Sequence, residues 1–263
     1  EGSSGQLKAG DYSLRGPLSL EGILSQLVHG TVAHRALTIP EGRTIEEIAQ
    51  LAAAQGLDLA RFREATSDPT PVLDIDPQAS DLEGYLFPDT YDVSPAPDAE
   101  RQLVGRMTQR FREVAGPELA RASEQGLTVR QLVTLASIVE LETAQASERP
   151  RIAAVFLNRL RRGMLLQTDP SVIYAIKKAG RWDGNIRRAD LQLDSPYNTY
   201  KRAGLPPGPI GCPGRDAILA VLAPAPTHDL YFVSRNDGTH EFSQTLIEHN
   251  RAVDRYQRRR SRS

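Results

Sequence analysis

The sequence predicts an α+β protein with a helical majority. Three observations carry this. Apolar residues recur at helical spacing in several long segments, most of them opened by a capping residue and closed by glycine. Near the N-terminus a strand, a turn, a capped helix and a second short helix form a small β-α-α unit. Near the C-terminus DLYFVSRNDGTHEFS places two apolar strands around Asn-Asp-Gly, the signature of a β-hairpin.

In chain order, GDYSL (10–14) has strand character. Ser19 caps a helix through about His29, with Glu21 in its first turn and Gly30 as its stop. TVAHRALTIP alternates in part and reads as a strand, and Pro40-Glu41-Gly42 is a turn. Thr44 to Glu47 is a capping box opening a helix that Gly56 ends, and a second helix follows around LDLARFREAT. Residues 68–98 are rich in Pro and Asp and mark a domain junction, although EGYLFPDTY within them is too aromatic for a linker. An amphipathic helix spans Ala99 to Ala115. A capping box at Thr128 to Gln131 opens the helix that carries TLASIVELET. Ser147 caps the next helix, which runs to Gly163. Asp169, as an N-cap before Pro170, starts another that stops at Gly180. Residues 194–214 form a long Pro/Gly-rich loop, and a loop of that length in a compact domain is usually functional or disordered. A last helix covers roughly 245–258, and the basic tail RYQRRRSRS reads as its frayed, solvated end.

Composition excludes several classes. With 32 Lys+Arg against 33 Asp+Glu the chain lacks the basic excess of a nucleic-acid binder. A single cysteine, Cys212, excludes an internal disulfide and any cysteine-based metal cluster. His29, His34, His228, His240 and His249 show no metal-binding spacing, and neither a phosphate-binding Gly-rich loop nor GxSxG is present, so no cofactor is expected. No stretch approaches the ~20 apolar residues of a membrane span, and no signal peptide is evident.

TLASIVELET closes an apolar run with two glutamates, Glu140 and Glu142. At ~100° per residue Glu140 projects with Val133 and Ala136, and Glu142 points about 200° away, toward Gln131. A carboxyl on an apolar face is partly desolvated, which favours its protonated form. A protonated carboxylic acid near neutral pH is what general-acid catalysis on a glycosidic oxygen requires. The plainer reading pairs Glu140 with Arg149 or Arg159 of the next helix, and Glu142 with a nearby basic group. Asn158 sits mid-helix, where it suits a side-chain hydrogen bond. Tyr197, Asn198 and Tyr200 in the long loop suit a sugar's apolar faces and hydroxyl edges, or serve as anchors.

ASIVELET, ERPRIAAVFLNRLRRGMLLQTDPSVIYA, SPYNTY and GLPPGPI occur in this order, with EGYLFPDTY upstream and YFV and HN downstream. Together they resemble the YceG-like (MltG) family of endolytic murein transglycosylases, from about residue 8 to 256. The resemblance implies a LysM-like β-α-α subdomain at about 36–80 within an N-terminal region 1–80. A larger, mainly helical YceG-like catalytic domain follows at 81–263. It implies a bacterial inner-membrane protein with one transmembrane helix, absent from this chain, and this region on the periplasmic side. The implied partners are peptidoglycan glycan strands and peptidoglycan synthases, with no nucleic acid. The implied reaction cleaves the β-1,4 bond between N-acetylmuramic acid and N-acetylglucosamine to give 1,6-anhydro ends, with Glu140 as single acid and base. Asn158, Gln167, Asp169, Tyr197, Asn198, Tyr200 and Glu83 are the expected substrate-binding residues. Two alternatives stand beside it: a hydrolase using Glu140 and Asp169, and a noncatalytic peptidoglycan-binding scaffold.

Overall fold

The N-terminal capping residues act as their positions predict. Gly22 N–H donates to Ser19 Oγ at the start of α1 (Leu20–His29). In the computed structural model, which describes residues 19–29, 35–93 and 96–258, the strand expected at 10–14, the Gly30 stop and the last residues of the basic tail lie outside the described residues. Strand β1 (Arg35–Thr38) leads through the Glu41-Gly42 turn to α2 (Ile45–Ala54). There Thr44 and Glu47 cap each other's backbone N–H groups, satisfying donors the first helical turn leaves free. Asp58 caps α3 (Leu59–Ser67).

EGYLFPDTY is core. Leu82, Tyr85 and Leu86 are fully buried, and Tyr85 stacks edge-on against Phe111 with ring centres 5.2 Å apart. The segment ends in β2 (Thr90–Val93), which pairs antiparallel with β1, Leu37 opposite Tyr91. Helix α4 (Ala99–Leu119) runs four residues beyond the expected end and through Pro117, because its buried face continues with Ala115 and Leu119.

Helix α5 (Val129–Glu142) opens with the Thr128–Gln131 capping box. Every residue from Leu132 to Val139 is buried, so the helix is covered all round. It packs against α6 (Arg149–Arg161), α7 (Asp169–Lys178) and α8 (Arg215–Leu222). The core around it is one continuous cluster from Leu37 to Leu222. Strands β3 (Tyr231–Ser234) and β4 (His240–Ser243) form the expected antiparallel hairpin, and α9 (Leu246–Val253) is followed by a wider turn, Asp254–Arg258. The class is thus mixed, mainly helical, with two two-stranded sheets.

Three local expectations are corrected. Ser147 does not cap α6: it lies inside a short 3-10 turn, Ala146–Glu148, and Glu148 takes the N-cap position without a side-chain bond. Asp169 is the first residue of α7 rather than its cap, which is Thr168. Helix α8 was not anticipated; its N-cap is Gly214, which has no side chain to signal a helix start. Among the described residues no helix is long and apolar enough to cross a membrane, and no cluster of His, Cys, Asp and Glu could hold a metal ion.

Candidate active site

Because α5 is enclosed, both glutamates at its end are drawn out of water, in different directions. The Glu140 side chain is only 4% exposed. Its Oε1 accepts from Arg149 Nη2 at 2.6 Å, and its Oε2 accepts from the Gly214 N–H at 3.0 Å. Gly214 starts α8, so the carboxyl sits at the positive end of a helix. A second carboxyl, Glu41 from the turn after β1, faces the same Arg149 guanidinium and lies against Gly214, whose N–H donates to Glu140. Arg149 Nη2 lies 3.4 Å from Glu41 Oε2, and Arg149 Nη1 lies 3.9 Å from Asp216 Oδ2. Burial pushes the Glu140 carboxyl above its ordinary range. The Glu41 carboxyl pushes the same way, while the Gly214 N–H and the Arg149 charge oppose.

Backbone bonds hold the Glu41 turn against the segment before α8. Gly42 N–H donates to Cys212 O at 2.8 Å, and Cys212 N–H donates to Arg43 O at 2.9 Å. The approach needs two glycines. A Cβ at position 211 would lie 2.7 Å from Gly42 O, and one at 214 would lie 1.7 Å from Glu41 Oε1.

Glu142 belongs to another cluster. It is half-buried near Thr168, Asp169 and Arg159, and desolvation, with the Asp169 charge adding to it, pushes its carboxyl up to about 7. Asp169 Oδ1 accepts from Tyr200 OH at 2.6 Å. The basic partner expected for Glu142 is close only as the charge of Arg159, which opposes the rise; no ion pair to Glu142 forms among the described residues.

A groove runs past these elements. Its main cavity, about 720 Å³, lies between α2 and α7 and is lined by Gln50, Arg63, Glu83, Tyr174, Lys178 and Trp182 among others. A smaller hollow of about 250 Å³ shares Thr44, Tyr174, Lys177 and Trp182 with it and reaches Gly42 and Leu141. Glu140 lies behind that wall, since a Cβ on Gly42 would be 3.7 Å from Glu140 Cγ. Glu83 is buried in the side of the main cavity. It accepts from the Ile45 N–H that opens α2 and from Tyr174 OH of α7, both at 3.1 Å, and burial pushes it up to about 8.

The model of the YceG-like family matches residues 1–255. The chain belongs to the YceG-like family. It is 33% identical to a Bacillus subtilis (strain 168) protein named endolytic murein transglycosylase, over 97% of this chain and 74% of that protein. It is 34% identical to a Streptococcus pneumoniae serotype 2 (strain D39) protein of the same name, over 94% of this chain and half of that protein. The crystal structure at 2.6 Å of a YceG-like protein, lmo1499, from Listeria monocytogenes superposes with a TM-score of 0.75 and 36% identity. That match covers 94% of this chain and 84% of the other.

The YceG-like motifs fall at different distances from Glu140. Asn158 faces elsewhere: its amide donates to Thr227 O and Asp229 O and holds the segment leading to β3. Asn198 is fully buried, and its amide donates to Leu191 O and Leu193 O, shaping the loop. Gln167 is exposed, with φ +49° and its N–H bonded to Thr199 O. Asp169 and Tyr200 form their pair on the Glu142 side. Tyr197 packs on Tyr174 of α7 at 4.8 Å, beside the groove. The long loop is pinned at Ile210, whose N–H donates to Ser137 Oγ of α5. Glu41 and Trp182 were missed. Glu41 read as a turn residue, and no periodicity links it to a partner 99 positions away; Trp182, the chain's one tryptophan, was the available signal for the groove.

Proposed function

We propose that this YceG-like chain is a peptidoglycan lytic transglycosylase that cleaves within glycan strands, with Glu140 as its single acid and base. The observation that carries the reading is the Glu140 carboxyl, buried behind the wall of a groove, pushed up in pKa and sharing the Arg149 guanidinium with a second carboxyl, Glu41. The names of the Bacillus and Streptococcus relatives support the substrate and the endolytic cut. Glu140 in its acid form donates its proton to the glycosidic oxygen as the C1–O bond breaks and the bond's electrons pass to that oxygen. The carboxylate then takes the proton of the muramic acid's own C6 hydroxyl as its oxygen attacks C1. The nucleophile is part of the substrate, which confers a high effective molarity and requires no second catalytic carboxylate. The product ends in 1,6-anhydromuramic acid.

On this reading Tyr197 and Trp182 offer ring faces to sugars along the groove. Tyr200, Gln167, Asp169 and Glu83 supply polar contacts, and Asn158 and Asn198 act as scaffold. The same reading takes residues 36–80 as a LysM-like subdomain, 81–263 as the catalytic domain and the periplasm as the site of action. Anchorage by a preceding transmembrane helix and cooperation with peptidoglycan synthases belong to it too. Mass spectrometry of glycan strands digested by the wild type and by Glu140→Gln tests it. Anhydro ends from the wild type alone are expected. Reducing ends would favour a hydrolase, and binding without cleavage a scaffold.

A further inference from the structure

Glu140 has the company of a second acid that nothing in its own helix supplies. Glu41 comes from the turn after β1, 99 residues earlier, and reaches Glu140 because Gly42 and Arg43 are stitched to Cys212 by two backbone hydrogen bonds. Its carboxyl occupies the space a side chain at 214 would fill. Arg149 Nη2 faces both acids, at 2.6 Å from Glu140 and 3.4 Å from Glu41. Two carboxyls gathered on one guanidinium nitrogen repel each other when both are charged, and a proton on one of them removes that repulsion. One shared proton also brings the group of two acids and one guanidinium to neutrality, the favoured state in a site largely closed to water. The other groups facing the pair are the Gly214 N–H and Asp216 on α8; Asp216 stands 3.9 Å from the guanidinium and is 68% exposed.

We propose that Glu41 is a positioning residue of the reaction, sharing one proton with Glu140 and holding it on the acid that must deliver it. The inference rests on the lytic transglycosylase reading and adds the residue that poises its acid. Glu41 is 45% exposed while Glu140 and Arg149 are 4% and 10% exposed, so Glu41 is the member of the three that can move aside toward solvent. An arriving glycosidic oxygen takes its place as the acceptor of the Glu140 proton. After transfer, Glu140 and Glu41 are both carboxylates beside one guanidinium. This excess negative charge favours return of a proton, which the C6 hydroxyl supplies. The pair ends each turnover with the single proton it began with. The region that precedes the catalytic helix therefore completes the active site as well as bordering its groove.

Activity needs Glu140 protonated, so the rate falls as pH rises through the acid's pKa. Removing the Glu41 charge favours the Glu140 carboxylate, which moves that fall to lower pH. The experiment measures kcat/KM against pH on purified glycan strands, reading anhydro ends by mass spectrometry, for the wild type, Glu41→Gln and Glu41→Asp. The alkaline limb of Glu41→Gln is expected to move down by about one pH unit, costing about tenfold in rate on that limb and recovering at acid pH. Glu41→Asp keeps the charge and is expected to keep the wild-type limb, whatever its effect on the melting temperature. A Glu41→Gln profile that superimposes on the wild type, or differs by one factor at all pH values, overturns the inference. So does a limb displaced equally in Glu41→Asp. Glu140→Gln separates the two claims: activity surviving in that variant would overturn the underlying reading, not the pairing alone.

Discussion

Glu83 is where the structure places a measurable cost on charge. The residue is 7% exposed, and its carboxyl bridges the N-terminus of α2 and Tyr174 of α7. Burial lifts it from an ordinary value of 4.5 to about 8. Below pH 4.5 it is protonated in both folded and unfolded chains, and its full contribution to stability is present. Between pH 4.5 and 8 the unfolded chain loses the proton and the folded chain keeps it, so stability falls as pH rises. At 1.36 kcal/mol per pH unit the total fall is up to about 5 kcal/mol. Glu83→Gln is nearly isosteric, keeps an oxygen for the Ile45 N–H, and does not titrate. Urea unfolding at half-unit steps from pH 4.5 to 9 provides the assay. The stability of Glu83→Gln relative to the wild type is expected to rise by about 1.4 kcal/mol per pH unit and level off near pH 8. A difference that stays constant across that range refutes the argument, and with it the desolvation assigned to the groove wall.

Two further outcomes follow from the geometry. Gly214→Ala puts a methyl where the Glu41 carboxylate lies. Since φ at 214 is −76° and the displaced atoms end a flexible side chain, the protein folds at a cost of about 1 kcal/mol or less for the weaker cap, and the alkaline limb of the rate profile moves down as in Glu41→Gln. Asp169→Asn retains an acceptor for Tyr200 OH and lies on the Glu142 side, so the melting temperature is unchanged and the rate stays within a few-fold of wild type. A hundredfold loss of rate without a change in melting temperature would make Asp169 a partner in the reaction.

What could be read in the sequence was local chemistry. The capping boxes at Thr44 and Thr128 and the Asn-Asp-Gly hairpin each declare themselves within a few residues, and each is present. Where local signals were weak or duplicated, the reading slipped. Helix α8 begins at a glycine, and Thr168 and Glu148 took the cap positions assigned to Asp169 and Ser147. The helical wheel separated Glu140 from Glu142 in direction but could not give their desolvation, which comes from elements distant in sequence: Arg149 of α6 and the start of α8 beside Glu140, and Thr168 and Asp169 beside Glu142. The pairing of Glu41 with Glu140 was out of reach, since it depends on two distant glycines that let one backbone approach another.

The central claim is that Glu140 alone carries the proton out and back. Glycan strands digested with wild type and Glu140→Gln, at matched melting temperature and with all chain ends identified by mass spectrometry, test it most directly. The account predicts 1,6-anhydromuramic ends from the wild type and no new ends of any kind from Glu140→Gln at any pH. Anhydro ends produced by Glu140→Gln, or reducing ends produced by the wild type, would contradict it.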